Sequence, residues 1–297
     1  MAIVIKKAVI PAAGMGTRML PLTKTQPKEM LPLADKPCIQ YIVEELASVG
    51  VDQILIITGA KKRSIEDHFD VDNELNQKLV ASGHKELLEQ LEFEHMKIQF
   101  FYTRQSNPLG LGHAVYHAKN FVNDEPFIIA LGDSVIRSYE NEPLLKRMIK
   151  QFDQDPSSIV LGTRRVPEDQ VHRYGIVKPK REIASGIIEI EDVVEKHSKQ
   201  TAPSNLAFAA RYIMPPGIME ALERTAPGKG GEIQLTDAIR LMLKEGTKGY
   251  SVCLTDKEKR YDIGNMASYY EAFLDFALAD KKYGYQLKQY IIQKLNL

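Results

Sequence analysis

Ala8-Val9-Ile10-Pro11-Ala12-Ala13-Gly14-Met15-Gly16-Thr17-Arg18 stands at the head of a chain of 297 residues. Three apolar residues closed by a proline read as a short buried strand, and the glycines behind them place a turn at its carboxyl end. Glycine lets the backbone approach an anion closely and turn several N–H groups toward it. Arg18 adds a planar fork that matches phosphate oxygens. Lys28 follows in a stretch stiffened by Pro21, Pro27, Pro32 and Pro37, so one extended loop can present Arg18 and Lys28 to a single polyphosphate. The two common phosphate-binding templates do not fit. Position 19 is Met where a dinucleotide fingerprint has its third glycine, and no G-K-[ST] follows. Read alone, the loop is either a phosphate cradle or a plain strand-to-loop turn.

The same alternation continues downstream. Residues 53–58 (QILIIT), 97–103, 127–131 and 158–162 are near-continuous apolar runs. Between them Ile39, Ile42, Val43, Leu46 and Ala47 recur at helical spacing until Gly50, and residues 61–69 and 113–121 read as further helices. Strand–helix alternation with strands apolar on both faces predicts an α/β fold: a doubly wound, mostly parallel, Rossmann-like sheet. Ligands in such sheets sit beyond the carboxyl ends of the strands. After residue 164 the runs at 174–178, 187–196 and 206–214 are longer and partly alternating, which predicts an added antiparallel part on one side. From Met266 the chain reads as a helical tail that packs on its own domain or on a second subunit. One domain is expected, in three parts: 1–164, 165–265 and 266–297.

Composition narrows the partners. With 39 basic and 39 acidic residues, no global field draws nucleic acid or an anionic membrane, so phosphate recognition must be local. Cys38 and Cys253 form no CxxC, which fits buried thiols in a reducing compartment. No signal-peptide core and no membrane-length apolar stretch is seen, and a cytoplasmic location is expected.

Several constellations carry candidate chemistry. The loop Gln105–Gly112 joins a strand to a helix, and Gln105 can donate and accept at once, as a base edge requires; a flexible crossover loop is the competing reading. Asp133 ends the apolar run 127–131, where a lone carboxylate suits Mg²⁺ shared with phosphate oxygens, or a simple turn. Asp262, in Arg260-Tyr261-Asp262-Ile263-Gly264, is a second such carboxylate. Glu195-Lys196 closes a strand and in isolation would be a surface ion pair of little worth. His113 and His117 are four residues apart, but Ala114 stands where an HExxH motif has glutamate, so they read as ordinary helix residues rather than zinc ligands. Glu232 and Asp237, in the run 230–237, sit near a helix start that favours them and read as mainly structural.

The run AVIPAAGMGTRMLPLTKTQPKEMLPLADKPCIQY closely resembles the opening of bacterial UTP–glucose-1-phosphate uridylyltransferases, of the sugar nucleotidyltransferase superfamily. IEDHFD, QSNPLGLGHAV, LGDS, YGIV, VEKHSKQTAPSNLA, GGEIQLTDAI and RYDIG follow in that family's order and span nearly the whole chain. The resemblance implies UTP and glucose 1-phosphate as substrates, Mg²⁺ as cofactor, and a homo-oligomer, dimer or tetramer. It makes 1–164 the nucleotide-binding part, 165–265 the sugar-phosphate-binding part and 266–297 the C-terminal helices. It assigns Ala12, Ala13, Gly14, Gly16, Glu29, Gln105 and Gly110 to the nucleotide, and Gly175, Glu195 and Lys196 to the sugar phosphate. Arg18, Lys28 and Lys196 become the catalytic cations, and Asp133 and Asp262 the metal side. Two positions depart from the pattern: Ser134 stands where many relatives have a second acidic residue, and His197 where the family usually has proline. The rival substrates are dTTP or another hexose 1-phosphate. Thymidylyltransferases usually carry a G-G-S-G-T-R loop and a lysine–glutamine pair, whereas this chain has Lys28-Glu29. A non-catalytic nucleotide-binding homologue is the other alternative, and it would be expected to lose Arg18, Lys28, Asp133 or Lys196.

Overall fold

The computed structural model describes residues 5–195 and 201–296. In chain order the strands are β1 (Lys7–Pro11), β2 (Pro32–Leu33), β3 (Lys36–Pro37), β4 (Gln53–Thr58), β5 (Gln99–Arg104), β6 (Phe127–Ala130), β7 (Ser134–Ser138), β8 (Ile159–Arg165), β9 (Gly175–Ala184), β10 (Ile187–Glu195), β11 (Leu206–Met214), β12 (Gly249–Cys253) and β13 (Glu258–Asp262). Nine of them form one sheet in the order β5-β4-β1-β6-β11-β8-β12-β10-β9. The run β5-β4-β1-β6 is parallel throughout, as is β8 with β12. β11 is antiparallel to β6 and β8, and β10 is antiparallel to β12 and β9.

Both faces of the sheet are covered. Ala8 and Ile10 of β1 join a core that includes Ile39, Ile42 and Leu46 of the helix Cys38–Ser48 and Met148 of the helix Leu144–Gln154. Val9, pointing the other way, joins a second core with Val115, Leu222 and Ile239 from the helices Leu111–Tyr116, Ile218–Arg224 and Leu235–Lys244. With no solvated face, a strand has no reason to alternate polar and apolar residues, which explains the unbroken apolar runs.

The antiparallel strands are not all at one side, as the sequence had suggested. β11 enters the middle of the sheet between β6 and β8, and all nine of its residues are buried. Its pairing with β8 shifts between Phe208 and Tyr212, where Ala210 takes φ 63°. Two helices, Asn73–Ser82 and Lys85–Gln90, had no counterpart in the hydrophobic pattern because neither buries a residue. Their local signals are capping ones: Asp72 accepts from the Leu75 amide at 2.9 Å, and Gly83 ends the first helix at φ 73°. The expected helix over 113–121 is broken into Leu111–Tyr116 and Lys119–Val122. The C-terminal helices are Met266–Leu278 and Gly284–Leu295. Tyr269 ties the first to the body by donating to the Pro32 carbonyl at 3.2 Å, while Tyr270, Phe273, Leu274, Tyr285 and Tyr290 stay exposed. No helix among the described residues is long and apolar enough to cross a membrane.

Arg211, at the centre of β11, is fully buried. Its Nε and Nη2 reach Glu45 Oε2 at 3.1 and 2.6 Å, Nη1 donates to the Ala210 carbonyl at 3.0 Å, and Nη2 donates to the Ser134 carbonyl at 3.0 Å. One side chain thus fastens the helix Cys38–Ser48 to the inserted strand and to the segment just after Asp133. Arg211→Leu is expected to lower the unfolding free energy by about 3–5 kcal/mol, since it leaves Glu45 half-buried without its partner. Urea denaturation checks this, and a Glu45→Leu/Arg211→Leu double variant should regain much of the loss.

Candidate active site

Four loops gather beyond the carboxyl ends of β1, β4, β5 and β6. The Ala12 amide donates to Ile57 at 2.8 Å, the Gln105 amide to Thr58 at 2.9 Å, and the Gly132 amide to Pro11 at 3.4 Å. At Gly59 a side-chain carbon would lie 2.9 Å from the Ala13 carbonyl, so glycine lets the first two loops touch. Between them opens a cleft of about 450 Å³ lined by Ala13, Met15, Lys62, Gln105 and Pro108 among others. Ala12 itself is core, with its N–H spent on Ile57, which leaves it only a carbonyl for a ligand. Gly16 sits at φ 67° with its carbonyl accepting from Thr23 Oγ1 at 2.8 Å, and it shapes the turn.

Gln105 is buried and oriented at the edge of this cleft. Its Nε2 donates to the Gly110 carbonyl at 3.1 Å and to His113 Nδ1 at 2.9 Å. The His113 ring thus holds the amide in place. With both amide hydrogens engaged, Gln105 keeps its carbonyl oxygen for a ligand donor. Gly110, at φ 99°, packs on the Ile233 backbone: a side-chain carbon there would meet the Ile233 carbonyl at 2.6 Å. Leu109 accepts from the Ile233 amide, and Gly112 donates to the Ile233 carbonyl, both at 2.8 Å.

The charged centre lies where the loops after β1 and β6 meet. Lys28 Nζ is ion-paired with Asp133, and only 15% and 18% of the two side chains is exposed. A side-chain carbon on Gly14 would lie 3.6 Å from Lys28 Nζ, so the glycine loop runs directly over the ammonium. Burial opposes the charge on Lys28, but Asp133, Glu29 and Asp262 together outweigh it and hold its pKa above the ordinary lysine value. Burial likewise opposes the charge on Asp133, yet Lys28 and then Arg260 hold its carboxyl below the usual range. Asp262 arrives on β13, which pairs with β7 so that Asp262 faces Ser134, and the Ile263 amide donates to the Asp133 carbonyl at 2.9 Å. Arg18 Nη2 and Asp262 Oδ1 each come within 2.8 Å of where a side chain on Gly264 would begin, which places Arg18 beside Asp262.

Glu29, which the resemblance assigns to the nucleotide, lies behind Lys28 in the interior. It is 1% exposed and pairs with Lys62 at 2.6 Å. It has almost no surface for a ligand, and burial raises its pKa against the pull of Lys62 and Lys28. Lys62 lines the cleft instead and was not singled out from the sequence, although it follows β4 directly. On the far side of β6, Gly175 pairs in register with Glu195, and a side chain on Gly175 would strike the Phe208 ring at 2.7 Å. Thr236 Oγ1 donates to Glu195 Oε2 at 2.6 Å, so the run 230–237 does reach this side. Buried Tyr212 of β11 has its pKa raised by burial, then by Glu195 and, more weakly, by Asp133, which ties the two regions together. Lys196 and His197 lie outside the described residues. Arg260 and Arg211 were also unforeseen: each grips the Ser134 segment, Arg260 through Nε to Ser134 Oγ at 2.7 Å.

Glycine loops, Arg18 and Lys28, and the carboxylates of Asp133 and Asp262 thus gather beyond the carboxyl ends of parallel strands, where α/β sheets take their ligands. A family model described as nucleotidyl transferase matches residues 7–278, and the chain belongs to that family. UTP–glucose-1-phosphate uridylyltransferase 2 of Staphylococcus saprophyticus is 44% identical over 294 residues, 99% of each chain. A crystal structure of UDP-glucose pyrophosphorylase complexed with UDP-glucose superposes with a TM-score of 0.83 at 39% identity, over 93% of this chain and 100% of that one. A UTP-bound UGPase from Acinetobacter baumannii gives 0.88 at 36%, over 97% and 99%.

Enzymes of this family generally use a divalent metal. Asp133 and Asp262, which the pairing of β7 with β13 brings to one place, are oxygen donors of the kind a divalent cation shares with phosphate oxygens.

The depressed Asp133 carboxyl has a measurable consequence. A carboxylate whose pKa falls on folding stabilises the protein above its unfolded value, and that contribution fades as pH drops through the folded value. The stability difference between wild type and Asp133→Asn should be full above about pH 5 and shrink steadily below 3.8, as followed by denaturant titration across pH.

Proposed function

We propose that this protein transfers the uridylyl group of UTP to α-D-glucose 1-phosphate, releasing UDP-glucose and diphosphate. The observation that carries the reading is the placement of a cleft at Gln105 and a glycine–glutamate pair at Gly175 and Glu195 about the Lys28–Asp133–Asp262 centre. The near full-length relatives with that activity support it. The base enters beside Gln105, whose carbonyl oxygen accepts from the N3–H of uracil; cytosine has no hydrogen there. Backbone groups of Ala13 and Gly14 face the nucleotide, and Gly110 keeps the Gln105 loop seated. Glu195 takes sugar hydroxyls, with Gly175 leaving room for the ring, and Lys196 takes the sugar phosphate.

An oxygen of the sugar phosphate attacks the α-phosphorus of UTP in line, a new P–O bond forms, and the bond to the β-phosphate oxygen breaks with diphosphate leaving opposite. The nucleophile is already anionic, so no general base is required. The barrier is repulsion between polyanions and their alignment. Arg18 and Lys28 steady the outer phosphates of UTP and the departing diphosphate. Lys28 leaves Asp133 for these oxygens, exchanging one anion for another. Asp133 and Asp262 would hold Mg²⁺, which supplies charge neutralisation at the phosphate oxygens. The exposed aromatic face of the C-terminal helices supports assembly as a homo-oligomer, dimer or tetramer. The balanced net charge and buried thiols support a cytoplasmic location.

Purified protein with UTP, glucose 1-phosphate and Mg²⁺ should form UDP-glucose and diphosphate in equal amounts; no product under these conditions would contradict the reading. Gln105→Ala should raise the UTP KM about tenfold or more and relax the preference for UTP over CTP, since it removes a buried base contact. An unchanged KM would remove Gln105 from base recognition.

A further inference from the structure

His113 and His117 stand four residues apart, without the glutamate of a zinc motif between them. Their rings meet edge to face at 4.7 Å, and both line a cavity of about 520 Å³ with Tyr116, Leu222 and Ile233 among others. His113 also reaches the other way. Its Nδ1 lies 2.9 Å from Gln105 Nε2, and Gln105 lines the cleft of about 450 Å³. The ring thus stands between the cavity and the cleft.

The amide that His113 touches has two orientations, and they suit opposite bases. With its oxygen toward the cleft, Gln105 accepts from an N–H, which uracil offers at N3. Turned over, it offers an N–H instead, which suits the bare N3 of cytosine. The neighbours decide between the two. The Gly110 carbonyl, 3.1 Å away, can only accept, so it takes one amide hydrogen and the second points at His113 Nδ1. A flipped amide would set its oxygen against that carbonyl, two acceptors without a donor around a side chain only 6% exposed. The frame is fixed as well: Gly110 packs on the Ile233 backbone, and the Gly112 amide donates to the Ile233 carbonyl at 2.8 Å. His113 is therefore carried on a helix start anchored to the run 230–237.

We propose that His113 is the positioning residue for base choice: its Nδ1 accepts the second Gln105 amide hydrogen, which holds the amide oxygen toward the base and makes the site favour UTP over CTP. The proposal rests on the uridylyl-transfer reading above and adds to it the residue that orients Gln105. His113 acts through Gln105 rather than on the nucleotide.

The test compares wild type, His113→Phe and His113→Asn in calorimetric titrations with UTP and with CTP, and in steady-state kinetics. Phenylalanine keeps a ring against His117 and removes the acceptor, whereas asparagine places an oxygen near the position of Nδ1. His113→Phe should weaken UTP binding about fivefold and lower the preference for UTP over CTP about tenfold. Its kcat and glucose 1-phosphate KM should stay within about twofold of wild type, and His113→Asn should restore most of the preference. In a Gln105→Ala background His113→Phe should change neither nucleotide's binding further, because the two residues act as one unit. An unchanged preference in His113→Phe overturns the proposal, as do equal losses in the phenylalanine and asparagine variants or a further loss in the Gln105→Ala background. Should wild type bind UTP without forming UDP-glucose, the transfer reading falls, and the same shift of binding preference in His113→Phe upholds the positioning role.

Discussion

Lys28 and Asp133 lie 105 residues apart in sequence, on the loops after β1 and β6, and their ion pair is what brings those two loops into one site. Buried pairs of this kind add little net stability, because desolvation offsets attraction. Their value here is exchange. Each partner is held fully charged by its neighbours, and each can trade the other for a stronger ligand: Lys28 for phosphate oxygens, Asp133 for a cation. In the reading proposed above, the charges are thereby in place before substrate enters, and binding changes their partners rather than their ionisation.

The surrounding structure serves that pair. Glu29, sealed behind Lys28, spends its carboxylate on Lys62 and so connects the ammonium to the cleft at Gln105. Arg211 grips the chain one residue after Asp133 and anchors it to the helix Cys38–Ser48 through Glu45. Inserting β11 antiparallel into the sheet lets one strand run from the Asp133 segment to Gly175, with Phe208 closing on Gly175 at the far end. The Lys28–Asp133 centre and the Gly175–Glu195 pair are thus two ends of shared scaffolding.

Much of this was legible in the sequence, for physical reasons. Buried parallel strands must be apolar on both faces, so β1, β4 and β6 announce themselves, and ligand loops must follow their carboxyl ends. Gly14, Lys28 and Asp133 stand in such loops, whereas Gln105 and Asp262 were given their roles by the family resemblance; Lys28, Asp133 and Asp262 lie together around the charged centre, and Gln105 borders the cleft beside it. What periodicity cannot show is pairing across the fold. Nothing local to Glu29 says that its partner is Lys62, nothing marks Arg211 as a core residue, and the antiparallel place of β11 follows from long-range packing alone. Asn73–Ser82 was missed for the opposite reason: it buries no side chain, so only its caps betray it.

The most direct measurement is calorimetric titration of UTP into wild type and Asp133→Asn, with and without Mg²⁺. If the Lys28–Asp133 pair is exchanged on binding, Mg²⁺ should tighten UTP binding to wild type but not to the variant, and the variant without Mg²⁺ should bind UTP at least as tightly as wild type. An equal gain from Mg²⁺ in both proteins would contradict the account.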